Sequence, residues 1–188
     1  MRRLAIVLMI IAVGVFGMTA CKPGLLPTED PGKPRVTLER VEIARLVPWV
    51  ELPAPTLLGM GYLFNIENPS GYNVKLENFK FTIFFEGAPG QYLSVSLPTT
   101  YDTMYFPPKT VSQYRVVDIL DSGAVWRSLI IANRPQMDAL KLDPVATIKN
   151  WYAKVGDFGF GIRVGEGMAV FSSEKGDIFV PFEGKFPK

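Results

Sequence analysis

Apolar and polar residues alternate along most of this chain, and that alternation predicts β-strands. In the clearest run, residues 58–66, every second residue is large and apolar. Further strands are predicted at residues 36–43, 74–85, 92–97, 111–119, 151–155, 158–164, 168–173 and 178–182. Many short strands separated by Gly and Pro turns are typical of an antiparallel β-sandwich.

Two breaks in the alternation and one turn motif refine this pattern. The apolar phase shifts between Leu38 and Val41 and again at Asn78, which predicts a β-bulge at each point. Asn68 and Pro69 lie between two predicted strands. An Asn side chain bonds to nearby backbone and Pro fixes φ, so we predict a structural turn here, with ligand contact as the alternative.

Residues 120–150 depart from the strand pattern. After Ser122, a predicted N-cap, apolar residues recur at helical spacing. They are Val125, Trp126, Leu129 and Ile130. A second short helix is predicted from Asp143 and Pro144 to about residue 150. We expect these helices to cap one end of the sandwich or to cover one of its edges.

The N-terminal residues have the order of an export signal. Arg2 and Arg3 precede an uncharged run over residues 4–20, and Cys21 follows the small residues that end it. This order resembles the bacterial lipobox, although Met18 stands where leucine is commonest. The resemblance implies removal of residues 1–20 and acylation of the Cys21 thiol, which would anchor the protein firmly. An uncleaved membrane anchor and a plain secretion signal are the alternatives.

Residues 22–34 are predicted to form a stalk, because their four prolines disfavour helix and favour extended chain. The predicted organisation is a signal peptide (1–20), a lipidated Cys21 with its Pro-rich stalk (21–34) and a β-sandwich domain (35–188). Lys22 rather than Asp follows the cysteine. In a bacterium with two membranes, the lipoprotein resemblance then implies the outer one. With a single membrane, it implies the outer face of that membrane.

The composition excludes several classes of function. The signal holds two of the 20 basic residues and none of the 18 acidic ones, so the remaining chain has no net charge, and nucleic-acid binding is disfavoured. Histidine is absent and Cys21 is the only cysteine, which excludes Ser-His-Asp and Cys-His catalysis and the usual zinc sites. We predict a non-enzymatic protein without metal or cofactor, apart from the covalent lipid on Cys21.

Two weaker patterns receive structural interpretations. Asp102, Asp118 and Asp121 could bind calcium only if the fold brought them together. Five glycines between residues 156 and 167 lie among predicted strand residues rather than between a strand and a helix. They therefore do not form a phosphate loop, and we interpret them as bulges and turns.

Three segments resemble the LEA14/WHy family, named for late embryogenesis abundant proteins and for water stress and hypersensitive response. The segments are residues 64–87, which contain Asn68-Pro69 and end in Phe-Phe-Glu-Gly, residues 105–110 (Tyr-Phe-Pro-Pro-Lys-Thr), and residues 177–184 (Asp-Ile-Phe-Val-Pro-Phe-Glu-Gly). The helical stretch at 120–150 departs from the family's pattern. The resemblance implies an all-β, antiparallel sandwich of fibronectin-III or immunoglobulin type, with about seven strands and, here, one or two inserted short helices.

The resemblance also implies a non-enzymatic role in desiccation, cold or envelope stress. We therefore expect a protective or binding module at the cell envelope, held to the membrane by acyl chains. The alternative is an envelope lipid-handling or assembly component that binds lipid or a protein partner through an apolar surface. Trp126, Leu129 and Ile130 are the candidate residues of that surface, and a contiguous exposed apolar patch would distinguish this alternative.

Overall fold

The sandwich predicted from the alternation is confirmed. A computed structural model describes residues 32–52 and 54–187, so Cys21 and the predicted signal lie outside the described residues. Nine strands are described, β1 to β9: Arg35–Leu46, Leu57–Asn68, Val74–Ala88, Gln91–Ser96, Thr99–Thr100, Met104–Phe106, Thr110–Asp121, Ile162–Ser173 and Gly176–Phe186. The described helices, α1 to α3, are Ser122–Ile131, Arg134–Leu140 and Pro144–Lys154, and a 3-10 turn, Val155–Asp157, follows α3.

The strands form two antiparallel sheets. One contains three strands in the order β1-β2-β7, and the other contains six, with β4-β3-β8-β9 as its main order. β4, β5 and β6 pair in succession with different parts of β3, so they act as one broken strand. The described strands thus occupy seven positions, the number that was predicted.

Both bulges predicted from the phase shifts are confirmed. The β1–β2 register shifts between Leu38 and Arg40, and the β3–β8 register shifts between Leu76 and Asn78. Each shift returns the apolar residues that follow to the core face of the sheet. Accordingly, Phe79, which follows the second bulge, is fully buried.

The core between the two sheets is rich in aromatic rings. Phe64, Phe79, Phe81 and Phe182 contact one another, with ring centroids 4.6 to 6.3 Å apart. Most of these pairs meet edge to face, an arrangement that the ring quadrupole favours. Because Phe64 belongs to one sheet and the other three belong to the second, this cluster holds the two sheets together.

The helices cover one end and one edge of the sandwich, as expected. At the end, the Tyr152 hydroxyl on α3 lies 3.0 Å from the carbonyl oxygens of both Thr56 and Leu120. At the edge, Asn133 Oδ1 accepts from the Ser94 N–H, and Asn133 Nδ2 donates to the Ser94 carbonyl. Asn133 therefore imitates a neighbouring strand and protects the β4 edge from pairing with another chain. Within the described residues, no helix has both the length and the apolar character to cross a membrane.

The strand predicted at residues 151–155 is wrong, because these residues continue α3 and enter the 3-10 turn. Ile148, Trp151, Tyr152 and Val155 are buried, and their spacing is that of one helix face. Packing of that face against the core outweighs the strand preference of Trp, Tyr and Val. The following strand, β8, begins at Ile162 rather than at residue 158.

The helical region also differs from the prediction at two helix starts. One or two helices were expected, and α2 is an additional one. Pro135 does not prevent this helix, because it lies in the first turn, where proline is tolerated. The N-cap of α1 is Asp121 rather than Ser122, since Asp121 Oδ1 accepts from the Ala124 N–H. Ser122 is buried instead, and its Oγ accepts from the Thr56 N–H.

Candidate functional site

Asn68, the first predicted site residue, is fully buried at the end of β2. Its Nδ2 donates to the carbonyls of Tyr72, Phe106 and Pro107, at 2.8, 2.9 and 3.1 Å. Its Oδ1 accepts from the N–H and from the hydroxyl of Ser70. The amide therefore joins the turn after β2 to the segment after β6, and its polar atoms are bonded within the protein.

Pro69, the second residue of the motif, is half-buried beside Asn68. Its carbonyl accepts a hydrogen bond from the Lys109 ammonium group. The Lys109 N–H in turn donates to the Asn68 carbonyl at 2.8 Å. The backbone carbonyls of Asn68 and Pro69 are thus both bonded to Lys109, the residue immediately before β7.

The candidate apolar surface on α1 is not continuous. Leu129 is fully buried, so it is a core residue, which corrects its prediction as part of a surface. Trp126 packs against the core, and both Trp126 and Ile130 are half-buried. Ile131, which is 73% exposed, lies next to them in the chain. These residues therefore divide between the core and the surface rather than forming one exposed patch.

The three aspartates considered for calcium have separate environments. Asp121 caps α1, and Asp102 accepts from the Tyr114 hydroxyl at 3.1 Å. Asp118 lies in β7, and burial raises the pKa of its carboxyl. Its Oδ2 is buried and has no hydrogen-bond partner among the described residues. In residues 32–52 and 54–187, no group of three or more Asp, Glu, His or Cys side chains is placed to hold a metal ion.

The glycines near residue 160 divide between two kinds of structure. Gly165 and Gly167 lie in β8 at a register shift between Val164 and Gly167, so their interpretation as a bulge is confirmed. Gly156 lies in the 3-10 turn, and Gly159 and Gly161 lie in the loop before β8. Gly156 is thus in a turn, as interpreted, whereas Gly159 and Gly161 lie outside a strand although one was predicted at residues 158–164.

A surface groove of about 380 Å³ lies on the outer face of the six-stranded sheet, beside α1. It is lined by the hydroxyl residues Thr82, Ser94, Ser96 and Ser128, by the carboxylate of Glu166, and by Phe84, Val95 and Leu97. Five of its eight lining residues are polar, so the groove suits a hydrophilic ligand rather than the apolar ligands of most binding pockets. The residues of this groove were not predicted as a site.

Glu166 enters the groove from the β8 bulge. Its φ of 52° lies in the left-handed region, which residues other than glycine seldom adopt. Its Oε2 accepts from the Thr82 hydroxyl at 2.7 Å. Backbone strain of this kind is concentrated at functional sites. A carboxylate between two glycines, Gly165 and Gly167, is the sequence signal from which this residue could have been found.

Two cations and two aromatic rings adjoin the groove, and we call Phe84, Tyr92, Arg163 and Lys185 the aromatic–basic cluster. The Arg163 guanidinium carbon lies 4.4 Å from the Phe84 ring centroid and 5.9 Å from that of Tyr92. Lys185 Nζ lies 5.6 Å from the Tyr92 centroid. Gly165 makes room for the guanidinium, because a Cβ there would lie 3.2 Å from Arg163 Nη2.

The cations of the aromatic–basic cluster form no direct ion pair, although Lys185 lies near the Glu86 carboxylate. Arg163 and Lys185 are paired directly across β8 and β9, and neither forms an ion pair with a described residue. Arg163 Nε is buried and has no hydrogen-bond partner in the described structure. Glu86, on the same face, accepts hydrogen bonds from the N–H groups of Gly90 and Gly161, and these bonds, together with the nearby positive charge of Lys185, lower its pKa.

No protein-family model matches this chain, and no curated protein does. The chain is similar in structure to a protein from Arabidopsis thaliana solved in solution, with 10% identity, coverage of 89% of this chain and 85% of that chain, and a TM-score of 0.49. It is also similar to a Northeast Structural Genomics Consortium target solved by X-ray crystallography (17% identity, 82% and 87% coverage, TM-score 0.43). A third similar structure is a protein from Archaeoglobus fulgidus (12% identity, 81% and 98% coverage, TM-score 0.42). Likenesses at this level assign neither a family nor a function.

Proposed function

We propose that this chain is an exported lipoprotein that carries a non-enzymatic LEA14/WHy-type β-sandwich at the cell envelope, as a stress-protective or binding module. The order of its parts supports the proposal. The lipobox-like residues end at Cys21, proline-rich residues 22–34 follow, and β1 begins at Arg35. Acyl chains on Cys21 and an extended stalk would hold the sandwich near the membrane without embedding it.

One observation carries the family part of this proposal: the segments that resemble LEA14/WHy contact one another. Asn68, in the first segment, binds the carbonyls of Phe106 and Pro107, in the second. The third segment lies in β9, and its Phe182 packs against Phe64 and Phe79 of the first. Segments that are distant in sequence thus depend on each other in the fold, as we expect for residues that define a common architecture.

The side chains available favour binding over catalysis. The chain has no histidine, and acylation would consume the thiol of its single cysteine. Leu129, a member of the apolar surface on which the lipid-handling alternative depends, is fully buried. The polar groove on the six-stranded sheet offers instead a surface that suits a hydrophilic ligand.

Replacement of Cys21 by Ala tests the anchor. We expect the original chain in the membrane fraction and the Cys21→Ala chain in the soluble fraction, because the variant has no thiol to acylate. Met18→Leu is the matched control, since it keeps the lipobox order, and it should stay with the membrane. Membrane association of the Cys21→Ala chain would contradict acyl anchoring.

Gene deletion followed by drying or freezing tests the protective role. We expect lower survival of the deletion strain and recovery when the original chain is restored. Unchanged survival would contradict stress protection. Native mass spectrometry of the purified protein addresses the alternative, because a co-purified lipid would favour lipid handling.

A further inference from the structure

We infer that the groove and the aromatic–basic cluster together form a binding site for an acidic sugar. The sugar carboxylate pairs with Arg163 and Lys185, and its ring hydroxyls occupy the groove between α1 and the β8 bulge. This inference deepens the proposed binding role and rests on that role alone. It requires neither the lipid on Cys21 nor stress protection.

The groove and the cluster are continuous because their residues form one row across four strands. Ser94 pairs with Phe84, Phe84 pairs with Arg163, and Arg163 pairs with Lys185. Neighbouring strands lie about 4.8 Å apart, so Ser94 and Arg163 are about 10 Å apart with Phe84 between them. One or two sugar rings span that distance.

The cations point to an anionic group on the ligand. Like charges directly opposite each other in a sheet disfavour folding, and Glu86 offsets this repulsion only beside Lys185, so Arg163 gains most from an added anion. A guanidinium binds a carboxylate through two parallel hydrogen bonds. Arg163 retains that capacity, because it has no ion pair with a described residue and its Nε has no hydrogen-bond partner.

The groove decides which kind of anion fits. The hydroxyls of Thr82, Ser94 and Ser128 already donate to protein acceptors, so they offer a ligand only acceptor lone pairs. A bare phosphate gains little from such groups, and the Glu166 carboxylate would repel it. A sugar hydroxyl, in contrast, can donate both to Glu166 and to the serine and threonine hydroxyl oxygens. The rings of Phe84 and Tyr92 offer apolar surface to the C–H groups of a sugar. An acidic sugar satisfies both halves of the site.

Calorimetric titration of the full chain tests this inference, with the protein purified in a polyoxyethylene detergent that has no sugar headgroup. Digalacturonate is the probe, and maltose and inorganic phosphate are the neutral and non-sugar controls. We expect digalacturonate to bind at least about tenfold more tightly than either control, because only it engages both the cations and the groove. Binding of maltose or of phosphate as tight as that of digalacturonate would overturn the proposal.

Variants locate the binding. Arg163→Gln should weaken digalacturonate binding at least about tenfold. Arg163→Lys should weaken it less, since lysine keeps the positive charge but lacks the planar guanidinium that binds a carboxylate through two hydrogen bonds. Glu166→Gln should weaken binding severalfold. Lys175→Gln is the matched control, because Lys175 is a cation in the turn between β8 and β9 that lies over Tyr72, outside the site.

The outcomes separate this inference from the proposed function. If Arg163→Gln fails to fold, Lys185→Gln, an exposed side chain, replaces it and should also weaken binding. Unchanged affinity in Lys185→Gln and in every folded Arg163 variant would overturn the site. Absence of digalacturonate binding by a protein that is membrane-anchored and protective would refute the sugar ligand alone. Loss of anchoring or protection with binding intact would refute only the proposed function.

Discussion

The Asn68 turn and the aromatic–basic cluster use polar side chains in opposite ways. Asn68 is fully buried, and both polar atoms of its amide are bonded to the protein. Arg163 and Lys185 face each other without ion pairs to described residues. A polar group that is fully bonded inside the protein stabilises the fold, whereas one without a partner is available to a ligand. This difference separates a structural motif from a candidate binding site.

The largest effect is expected at the turn. Asn68→Ala removes one hydrogen bond from each of the carbonyls of Tyr72, Phe106 and Pro107 and two from Ser70. Each of these hydrogen bonds contributes about 0.5–1.5 kcal/mol net, so their joint loss should lower the free energy of unfolding by about 4 kcal/mol. Chemical denaturation in the Cys21→Ala background measures this change.

Asn73→Ala is the matched control for Asn68, because Asn73 is exposed in the same turn. It should change the free energy of unfolding by less than about 0.5 kcal/mol. Similar losses in the two variants would show that the hydrogen bonds of Asn68 do not account for its effect.

The next largest effect is expected in α1. Leu129 is fully buried, and truncation of a buried leucine leaves a cavity. Leu129→Ala should therefore lower the free energy of unfolding by about 3 kcal/mol, measured by thermal or chemical denaturation. Ile131→Ala, at a position that is 73% exposed, is the control and should change it by less than about 0.5 kcal/mol. If Leu129→Ala were as stable as the original chain, Leu129 would not be a core residue and would again be a candidate for the contact surface.

A smaller effect with a defined pH dependence is expected at Asp118. Burial raises the pKa of this carboxyl in the folded protein, so the folded state binds the proton more tightly than the unfolded state does. Ionised Asp118 therefore costs stability, and this cost is absent below the ordinary pKa and complete above the raised one. Asp118→Asn should raise the free energy of unfolding at pH 7 by about 1 kcal/mol.

Denaturation across pH measures the Asp118 effect. The original chain should lose stability relative to Asp118→Asn as pH rises from the ordinary carboxyl pKa through the raised one. Asp177→Asn, an exposed position on β9, serves as the control and should not change this pH dependence. If the stability of Asp118→Asn changed with pH in parallel with that of the original chain, Asp118 would not be the source of the pH dependence.

The smallest effect on stability is expected at the aromatic–basic cluster. Arg163→Gln loses a cation–π contact with Phe84, worth about 0.5–1 kcal/mol, but it also relieves the repulsion between Arg163 and Lys185. The net change in the free energy of unfolding should be below about 0.5 kcal/mol by chemical denaturation. A loss above about 2 kcal/mol would show that the cluster, like the Asn68 turn, serves the fold.

Local patterns predicted much of the fold. The alternation at residues 58–66 became the centre of β2, and the phase shifts before Val41 and at Asn78 became bulges. Asp143 and Pro144 do begin α3, with Asp143 Oδ1 accepting from the Ala146 N–H. These predictions were correct because strand alternation, bulges and helix caps depend on residues close together in the chain.

Other features could not be predicted because they depend on distant residues. The helical continuation through Trp151 and Tyr152 is decided by packing against the core, since the strand preference of these residues points the other way. The groove joins residues from β3, β4, α1 and β8, which no local pattern brings together. Arg163 gives no sequence signal of its own, because its lack of an acidic partner is a property of the folded surface.

Sequence alone therefore determined the exclusion of histidine chemistry and the sandwich class, and it is the source of the prediction of export and lipid attachment at Cys21. These follow from residue types and from spacing over a few positions. The tertiary structure decided that Asn68 bonds to carbonyls 38 and 39 residues away, that Leu129 is core, and that Arg163 and Lys185 share one face. Sheet pairing and burial set these relations, because they fix which polar groups find partners inside the protein and which remain for a ligand.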